Sequence, residues 1–300
     1  DESNRIVDTR GDKSHPSSHG YTCFKGLQVE EAYHGKPRLL RPQKRAADGT
    51  FEEIGLASAL DEIGERLNNM VAPDGGNAVA VMAGGGSYLD SAGHTMYKDF
   101  LRAIGSDQNF TVSTIDQSAK VVSFERLGGW AAGTQDLEHS DVVLLVGTNP
   151  VVAHTTVALL TTDPARRLKQ AKARGTKIIC IDPRRNETSH YADLILQPLP
   201  GNDAAILAGM IRIVLAERWH DQEFCARHVG ENRLDSLCKA VDGYTEDMVE
   251  NRAGLEPGQL RAATAMFARD SKRGAVFTAT GPSMGPFSNL MQHLANSLNE

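Results

Sequence analysis

Asp182 and Arg184 stand two residues apart at the end of Lys177-Ile-Ile-Cys-Ile-Asp-Pro-Arg-Arg185. A carboxylate only accepts hydrogen bonds, and a guanidinium presents a fork of donors that matches phosphate. The pair suits a purine edge and a phosphate, or else it is an ordinary ion pair on a surface loop. The preceding residues fix its setting. Ile178, Ile179 and Ile181, with Cys180 between, form an apolar run too short for a helix and suited to a strand covered on both faces. Pro183 ends the run, because proline cannot donate to a ladder. Asp182 and Arg184 are therefore expected just beyond a strand tip, where open α/β sheets bind their ligands.

The same design recurs. Asp141-Val-Val-Leu-Leu-Val-Gly147 leads into Thr148-Asn149-Pro150, and Asn77-Ala-Val-Ala-Val-Met-Ala83 leads into Gly84-Gly-Gly-Ser87. Ala275-Val-Phe-Thr-Ala-Thr280 leads into Gly281-Pro-Ser-Met-Gly285. Glycine permits positive φ and lets backbone amides approach a ligand closely. Such turns at four strand ends predict a cradle for a large phosphate-bearing ligand. The familiar nucleotide fingerprints do not fit. Gly84-Gly-Gly-Ser-Tyr-Leu89 lacks the sixth-position glycine or alanine of the dinucleotide fold, and no Gly-x-x-x-x-Gly-Lys-Ser/Thr loop occurs.

These turns need elements to hold them. Residues 1–50 are polar and proline-punctuated, and read as a small irregular domain or an extended cap. Apolar spacing predicts a helix from Phe51 to Met70 and another from Asp90 to Ile104, with a strand Ala78–Ala83 between. Asp163-Pro164 and Gly175 bracket a helix with an N-cap, a first-turn proline and a C-terminal glycine. Strand 141–147, that helix and strand 176–181 then make a right-handed βαβ unit. Helices are expected over Ala204–Ala216 and most of Glu246–Arg269, and strand 275–280 is expected to return to the earlier domain. The fold class is α/β, with doubly wound, mostly parallel sheets. The domains are expected at 1–50, 51–125 plus 272–300, and 126–271.

Three hundred residues suffice for one large domain or two modest ones. The net charge of −6 without a basic block gives no footprint for nucleic acid, and no apolar run is long enough to span a membrane. The chain opens at Asp1 without a signal-peptide pattern and closes in an apparent helix from Asn289 to Glu300, so it reads as a fragment of a longer protein. Cys23, Cys180, Cys225 and Cys238 are scattered without a CxxC pair, which favours a reducing compartment and a cytoplasmic location. His220, Glu223, Cys225 and His228 spread over more than one helical face, a poor arrangement for a metal.

The ordered set of motifs resembles the molybdopterin oxidoreductase family, which includes formate dehydrogenases, nitrate reductases and dimethyl sulfoxide reductases. The matching segments are Gly20-Tyr-Thr-Cys-Phe-Lys-Gly26, Tyr33-His34 with Arg38-Leu39 and Pro42, then Asp141–Pro150, Gly175–Arg184, Ala192-Asp193 and Pro200-Gly-Asn-Asp203. The resemblance implies a molybdenum bis(molybdopterin guanine dinucleotide) cofactor and, in the full-length protein, a [4Fe–4S] cluster. Cys23 would be the last of four cluster cysteines, the others preceding this chain, and Lys25 would lie between cluster and pterin. Asp182 and Arg184 would recognise one guanosine arm, with Gly147, Asn149 and Pro150 near its pyrophosphate and Gly201 and Asp203 in the next loop. Gly84, Gly86 and Ser87, with Gly281 and Ser283, would approach the second pterin.

The chain departs from the family's cysteine- and selenocysteine-ligated members, since no cysteine lies between Cys23 and Cys180. The window before the Asp141 strand is Ser113-Thr-Ile-Asp-Gln-Ser-Ala-Lys-Val-Val122. Asp116 is the first candidate for the molybdenum ligand and Ser118 the second, hard oxygen donors that suit oxidised molybdenum. The plain alternative is that Asp116 caps a helix running to Leu127. The implied function is a molybdenum oxidoreductase moving two electrons or an oxygen atom on a small substrate, with a redox partner taking the electrons. The other reading is a non-catalytic electron-transfer scaffold, as in the large iron–sulfur subunit of respiratory NADH dehydrogenases.

Overall fold

The computed structural model describes residues 2–16, 18–112, 115–127, 137–153 and 162–299, apart from the side chains of Tyr88 and Phe124. It divides into two units, Asp1–Thr114 and Ile115–Glu300.

The first unit begins with two short helices, α1 (Phe24–Leu27) and α2 (Val29–His34). A hairpin follows, in which β1 (Gln43–Arg45) pairs antiparallel with β2 (Phe51–Glu53). Its turn contains Gly49 at φ 87°, a conformation glycine adopts freely. The expected helix from Phe51 is thus corrected, because pairing with β1 captures Phe51–Glu53. The Arg45 guanidinium also sits 4.8 Å over the Phe51 ring. Helix α3 runs instead from Leu56 to Asp74. The expected strand from Ala78 shortens to β3 (Val81–Ala83), since Gly76–Ala78 form a single helical turn. Helix α4 (Ser91–Ile104) then leads to β4 (Asn109–Thr111), which pairs parallel with β3. The Asp90 carboxylate caps α4 by accepting from the Gly93 amide at 2.9 Å. Ala83 and Leu101 are the only buried side chains among the described residues of this unit.

The second unit opens with α5 (Ser118–Leu127) and is built on a four-stranded sheet. Its strands are β5 (Val142–Val146), β6 (Lys177–Ile181), β7 (Leu194–Leu196) and β8 (Gly274–Thr278), in the order β7-β6-β5-β8 and all parallel. Between β5 and β6 lie α6 (Pro150–Ala153) and α7 (Pro164–Ala173). The sequence signals for α7 hold. Asp163 accepts from the Arg166 amide at 3.2 Å, Pro164 opens the helix, and Gly175 follows it at φ 97°.

The C-terminal part differs from expectation. Strand β8 pairs with β5 from Val142↔Gly274 to Val146↔Thr278. Residues from Gly274 therefore belong with the second sheet rather than returning to the first domain, and the division falls after Thr114 rather than near 125. Ala275, Val276 and Phe277 are buried on both faces and need the long partner that β5 provides. Helices α8 (Asp203–Ala216), α9 (Gln222–Phe224) and α10 (Glu231–Val241) follow β7. The helix expected over Glu246–Arg269 is broken into α11 (Glu246–Ala253) and α12 (Gln259–Thr264) by Gly254 and Gly258, both at positive φ. After β8 come α13 (Thr280–Met284) and α14 (Ser288–Ser297), so the last helix stops before Glu300.

Strand periodicity sorts the core into two layers. Val142, Leu144, Val146, Ile179, Ile181 and Val276 face α8, α11, α12 and α14 through Ile206, Met210, Val249, Leu260 and Leu294. Val143, Leu145, Ile178, Cys180 and Phe277 face Leu137, Leu168 and Ala171. Burying each large apolar side chain stabilises by about 1.5–3 kcal/mol, so the strands and their tips are firmly held.

Candidate functional site

Because all four strands of the second sheet are parallel, their carboxyl ends emerge at one edge. That edge collects Gly147, Asn149 and Pro150 after β5, Asp182 and Arg184 after β6, Gly201 and Asp203 after β7, and Gly281 and Ser283 after β8. Gly147 adopts φ 54°, and Pro282 packs against the space where a β-carbon would stand. Its amide donates to the Ile181 carbonyl at 2.8 Å, which ties the β5 turn to β6. Gly201 adopts φ 85° with Pro286 Cγ at 3.2 Å from its own missing β-carbon. Glycine is thus needed at both turns, for backbone conformation and for close packing.

The loop after β6 is organised by short polar side chains. Asp182 Oδ1 accepts from the Arg184 amide and Oδ2 from Asn186 Nδ2, each at 2.8 Å. The buried Asn186 in turn accepts from the Ser189 amide at 3.0 Å. Asn149 reaches across from β5. Its Nδ2 donates to Glu187 Oε2 at 2.7 Å and its Oδ1 accepts from Thr188 Oγ1 at 2.6 Å. This hydrogen bond from Asn149 holds the exposed Glu187 carboxyl below its ordinary range. Arg184 projects into solvent with its donors available to a ligand.

Asp203, at the start of α8, is half-buried. Burial pushes its carboxyl above the ordinary range, reinforced by the negative charge of Asp182. Two carboxyl groups thus stand on neighbouring loops, one of them partly desolvated. Ser283 is buried with its hydroxyl unpartnered.

The start of α5 reaches the same edge. Lys120 Nζ donates to the Thr278 carbonyl at 3.0 Å, at the tip of β8. Desolvation lowers the Lys120 pKa against the opposing pull of Asp116. Asp116 is exposed in the turn before α5 and Ser118 is half-buried at its first residue, while Ser113 and Thr114 of the same window lie outside the described residues. A buried chain runs beneath. Thr278 Oγ1 donates to Gln292 Oε1 at 2.7 Å, Gln292 Nε2 to Asn296 Oδ1 at 3.1 Å, and Asn296 Nδ2 to Ser123 Oγ at 2.8 Å.

The remaining candidates belong to the first unit. Cys23 precedes α1, where hydrogen bonds from the Gly26 and Lys25 amides lower its thiol pKa, and Lys25 is exposed. Gly84 and Gly86 follow β3 with ordinary φ, and a β-carbon on either meets nothing within 4 Å. Local packing leaves room for side chains there, so the glycines keep open a surface that another group can approach. The Ser87 hydroxyl lies 3.3 Å from His94 Nδ1. Among the described residues no group of His, Cys, Asp and Glu could hold a metal by itself.

Sequence reasoning overlooked Asn186, Glu187, Thr188 and Lys120. The run Asp-Pro-Arg-Arg-Asn-Glu-Thr after β6 carries a usable signal, because short polar side chains organise their own turns. Ala192-Asp193, matched by motif, lies at the opposite end of the sheet. Asp193 Oδ2 accepts from the Ile178 amide at 2.9 Å, and Asp193 pairs with Lys172 and Lys177.

The family model described as molybdopterin oxidoreductase matches residues 38–291. The chain is 29% identical over 271 residues to the F420-dependent formate dehydrogenase 1 subunit alpha of Methanococcus maripaludis, covering 87% of this chain and 37% of that protein. It is 28% identical to a nitrate reductase of Synechocystis sp., covering 85% of this chain and 35% of the relative. Among solved structures, acetylene hydratase from Pelobacter acetylenicus superposes with a TM-score of 0.78 at 24% identity, over 95% of this chain and 38% of the other. The chain thus spans just over a third of the length of these relatives. With the matched model covering most of its residues and its fold shared with acetylene hydratase, the chain belongs to the molybdopterin oxidoreductase family.

Proposed function

We propose that this chain is part of the catalytic subunit of a molybdenum oxidoreductase and that its second unit holds one guanine dinucleotide arm of the cofactor. The observation that carries this reading is the convergence at one sheet edge of Asp182, Arg184 and the half-buried Asp203 with two glycine turns. The residues fit the group. Acceptor-only Asp182 and Asp203 suit the donor edge of guanine, Arg184 suits phosphate, and Gly147 allows backbone to approach a pyrophosphate. Gly281 and Ser283, after β8, would serve the second arm.

The bound cofactor would supply two-electron or oxygen-atom chemistry on a small substrate, and the protein would supply binding, orientation and electrostatics. Asp116 would be the oxygen donor toward molybdenum, with Ser118 as the second candidate. Lys120 ties α5, which Ser118 opens and Asp116 precedes, to the β8 tip through its hydrogen bond to the Thr278 carbonyl. Cys23 is the single cysteine before Cys180, so this chain alone does not fit a [4Fe–4S] cluster, which takes four cysteine thiolates. Cys23 would contribute one ligand in a longer protein, and Lys25 would place a cation beside it. The alpha-subunit designation of one relative supports an electron-accepting partner subunit. The relatives named above are enzymes, and no observation favours the scaffold reading.

The test is metal and guanine-nucleotide analysis of the full-length protein, wild type beside Asp116→Ala. About one molybdenum and two guanine nucleotides per chain are expected in the wild type. The variant should show altered metal spectroscopy with nucleotide retained. An unchanged spectrum removes Asp116 as the ligand, and a wild type without metal or nucleotide overturns the whole reading.

A further inference from the structure

Phe287 combines two features that ordinary packing does not explain. It adopts φ 58° and ψ 28°, a left-handed conformation that Asn, Asp and Gly tolerate but a large aromatic residue rarely takes. Yet its side chain is 67% exposed, so no core contact among the described residues compensates the backbone strain. It precedes α14 without capping it by any side-chain hydrogen bond. Strain kept at a particular residue is a reason to ask what that residue does.

Its position gives the answer. Pro286, the preceding residue, packs on Gly201, and Gly201 stands two residues before Asp203. Leu199 and Met284, the latter just after the Ser283 turn, are also exposed on these segments. Guanine presents a polar edge and two apolar faces. Asp182 and Asp203 offer acceptors for the edge, and in the segments 199–203 and 281–287 Phe287 is the single aromatic ring. We propose that Phe287 is the stacking platform for the guanine base, its left-handed backbone holding the ring out of the core at the carboxyl edge of the sheet. A base stacked on an aromatic ring gains affinity without regard to its hydrogen-bonding edge, so specificity stays with the carboxylates while Phe287 governs retention. This inference rests on the guanine-dinucleotide reading above.

The experiment uses full-length protein from a cofactor-competent host. Release of bound guanine nucleotide over time is followed by chromatography for wild type, Phe287→Ala, Phe287→Gly and Phe287→Trp. Release should be roughly tenfold faster in the alanine and glycine variants and near wild type in the tryptophan variant. Melting of the same proteins from a host without the cofactor supplies the control. There Phe287→Gly should melt no lower than wild type, because glycine relieves the left-handed backbone. Equal release from wild type and Phe287→Ala overturns the proposal. So does a lowered cofactor-free melting temperature in both small variants with normal release, which assigns Phe287 to packing. Wild type lacking guanine nucleotide instead refutes the underlying cofactor reading.

Discussion

Asp182 and Asp203 are neighbouring carboxylates with different local duties. Asp182 already accepts from the Arg184 amide and Asn186, so it organises its own loop. Asp182→Asn keeps an oxygen acceptor for the turn but removes the charge. It should weaken guanine-nucleotide retention by about tenfold, the scale of a hydrogen bond to a charged group, and lower the melting temperature as well, because the new amide NH2 faces the Nδ2 donor of buried Asn186. Asp203 makes a separate prediction through pH. Its folded pKa is raised, first by burial and then by Asp182, so its ionisation opposes folding. The stability it permits is fully present below the ordinary carboxylate value of 3.8 and is lost as pH rises through the raised folded value. Asp203→Asn should therefore raise the melting temperature of the cofactor-free protein at neutral pH. Thermal melts at several pH values would check this, and a gain that persists below pH 3.8 contradicts it.

At the scale of elements, the β5 turn and the β8 extension are mutually dependent. Gly147→Ala introduces a side chain at φ 54° where Pro282 already packs, and should cost about 2 kcal/mol through strain and displacement. The chain from Thr278 through Gln292 and Asn296 to Ser123 fastens α5 and α14 to the same strand. Gln292→Leu should strand buried polar partners and lower stability by roughly 2 kcal/mol, a melting shift of about 4–8 °C. Denaturant unfolding checks both, and unchanged midpoints would show the contacts to be dispensable. These elements also show what was legible in the sequence. Strands β5 and β6 and the caps of α7 were readable, because apolar runs and Asp163-Pro164…Gly175 are local signals. The partner of β8 was not, since nothing local tells Ala275–Phe277 which strand lies beside them. Phe51 was misread because its apolar spacing to Ile54 fits a helix, while its pairing with Arg45 depends on the intervening turn. At the site, the residue types after each strand were legible. Bridges such as Asn149 to Glu187, 38 residues apart, became visible only in three dimensions.

For the molecule as a whole, the two units differ in how much apolar surface they bury. The second has a two-layered core around its sheet. The first leaves Leu60, Ile63, Met82, Met96 and Phe110 exposed on its helices and strands. Residues 115–300 made alone should unfold in one cooperative step, whereas residues 1–114 alone should melt without a sharp transition and bind a hydrophobic dye. A sharp calorimetric transition in the shorter piece would contradict this. Strand β6 carries a further consequence through Cys180, whose thiol burial pushes up to about 12. A thiol so disposed is inert to alkylating reagents at neutral pH while its strand stays paired. Cys23 and Cys238, nearer the surface, should label at once. The delay before Cys180 reacts then counts the moments when the central sheet comes apart, giving the chain a built-in clock of its own opening.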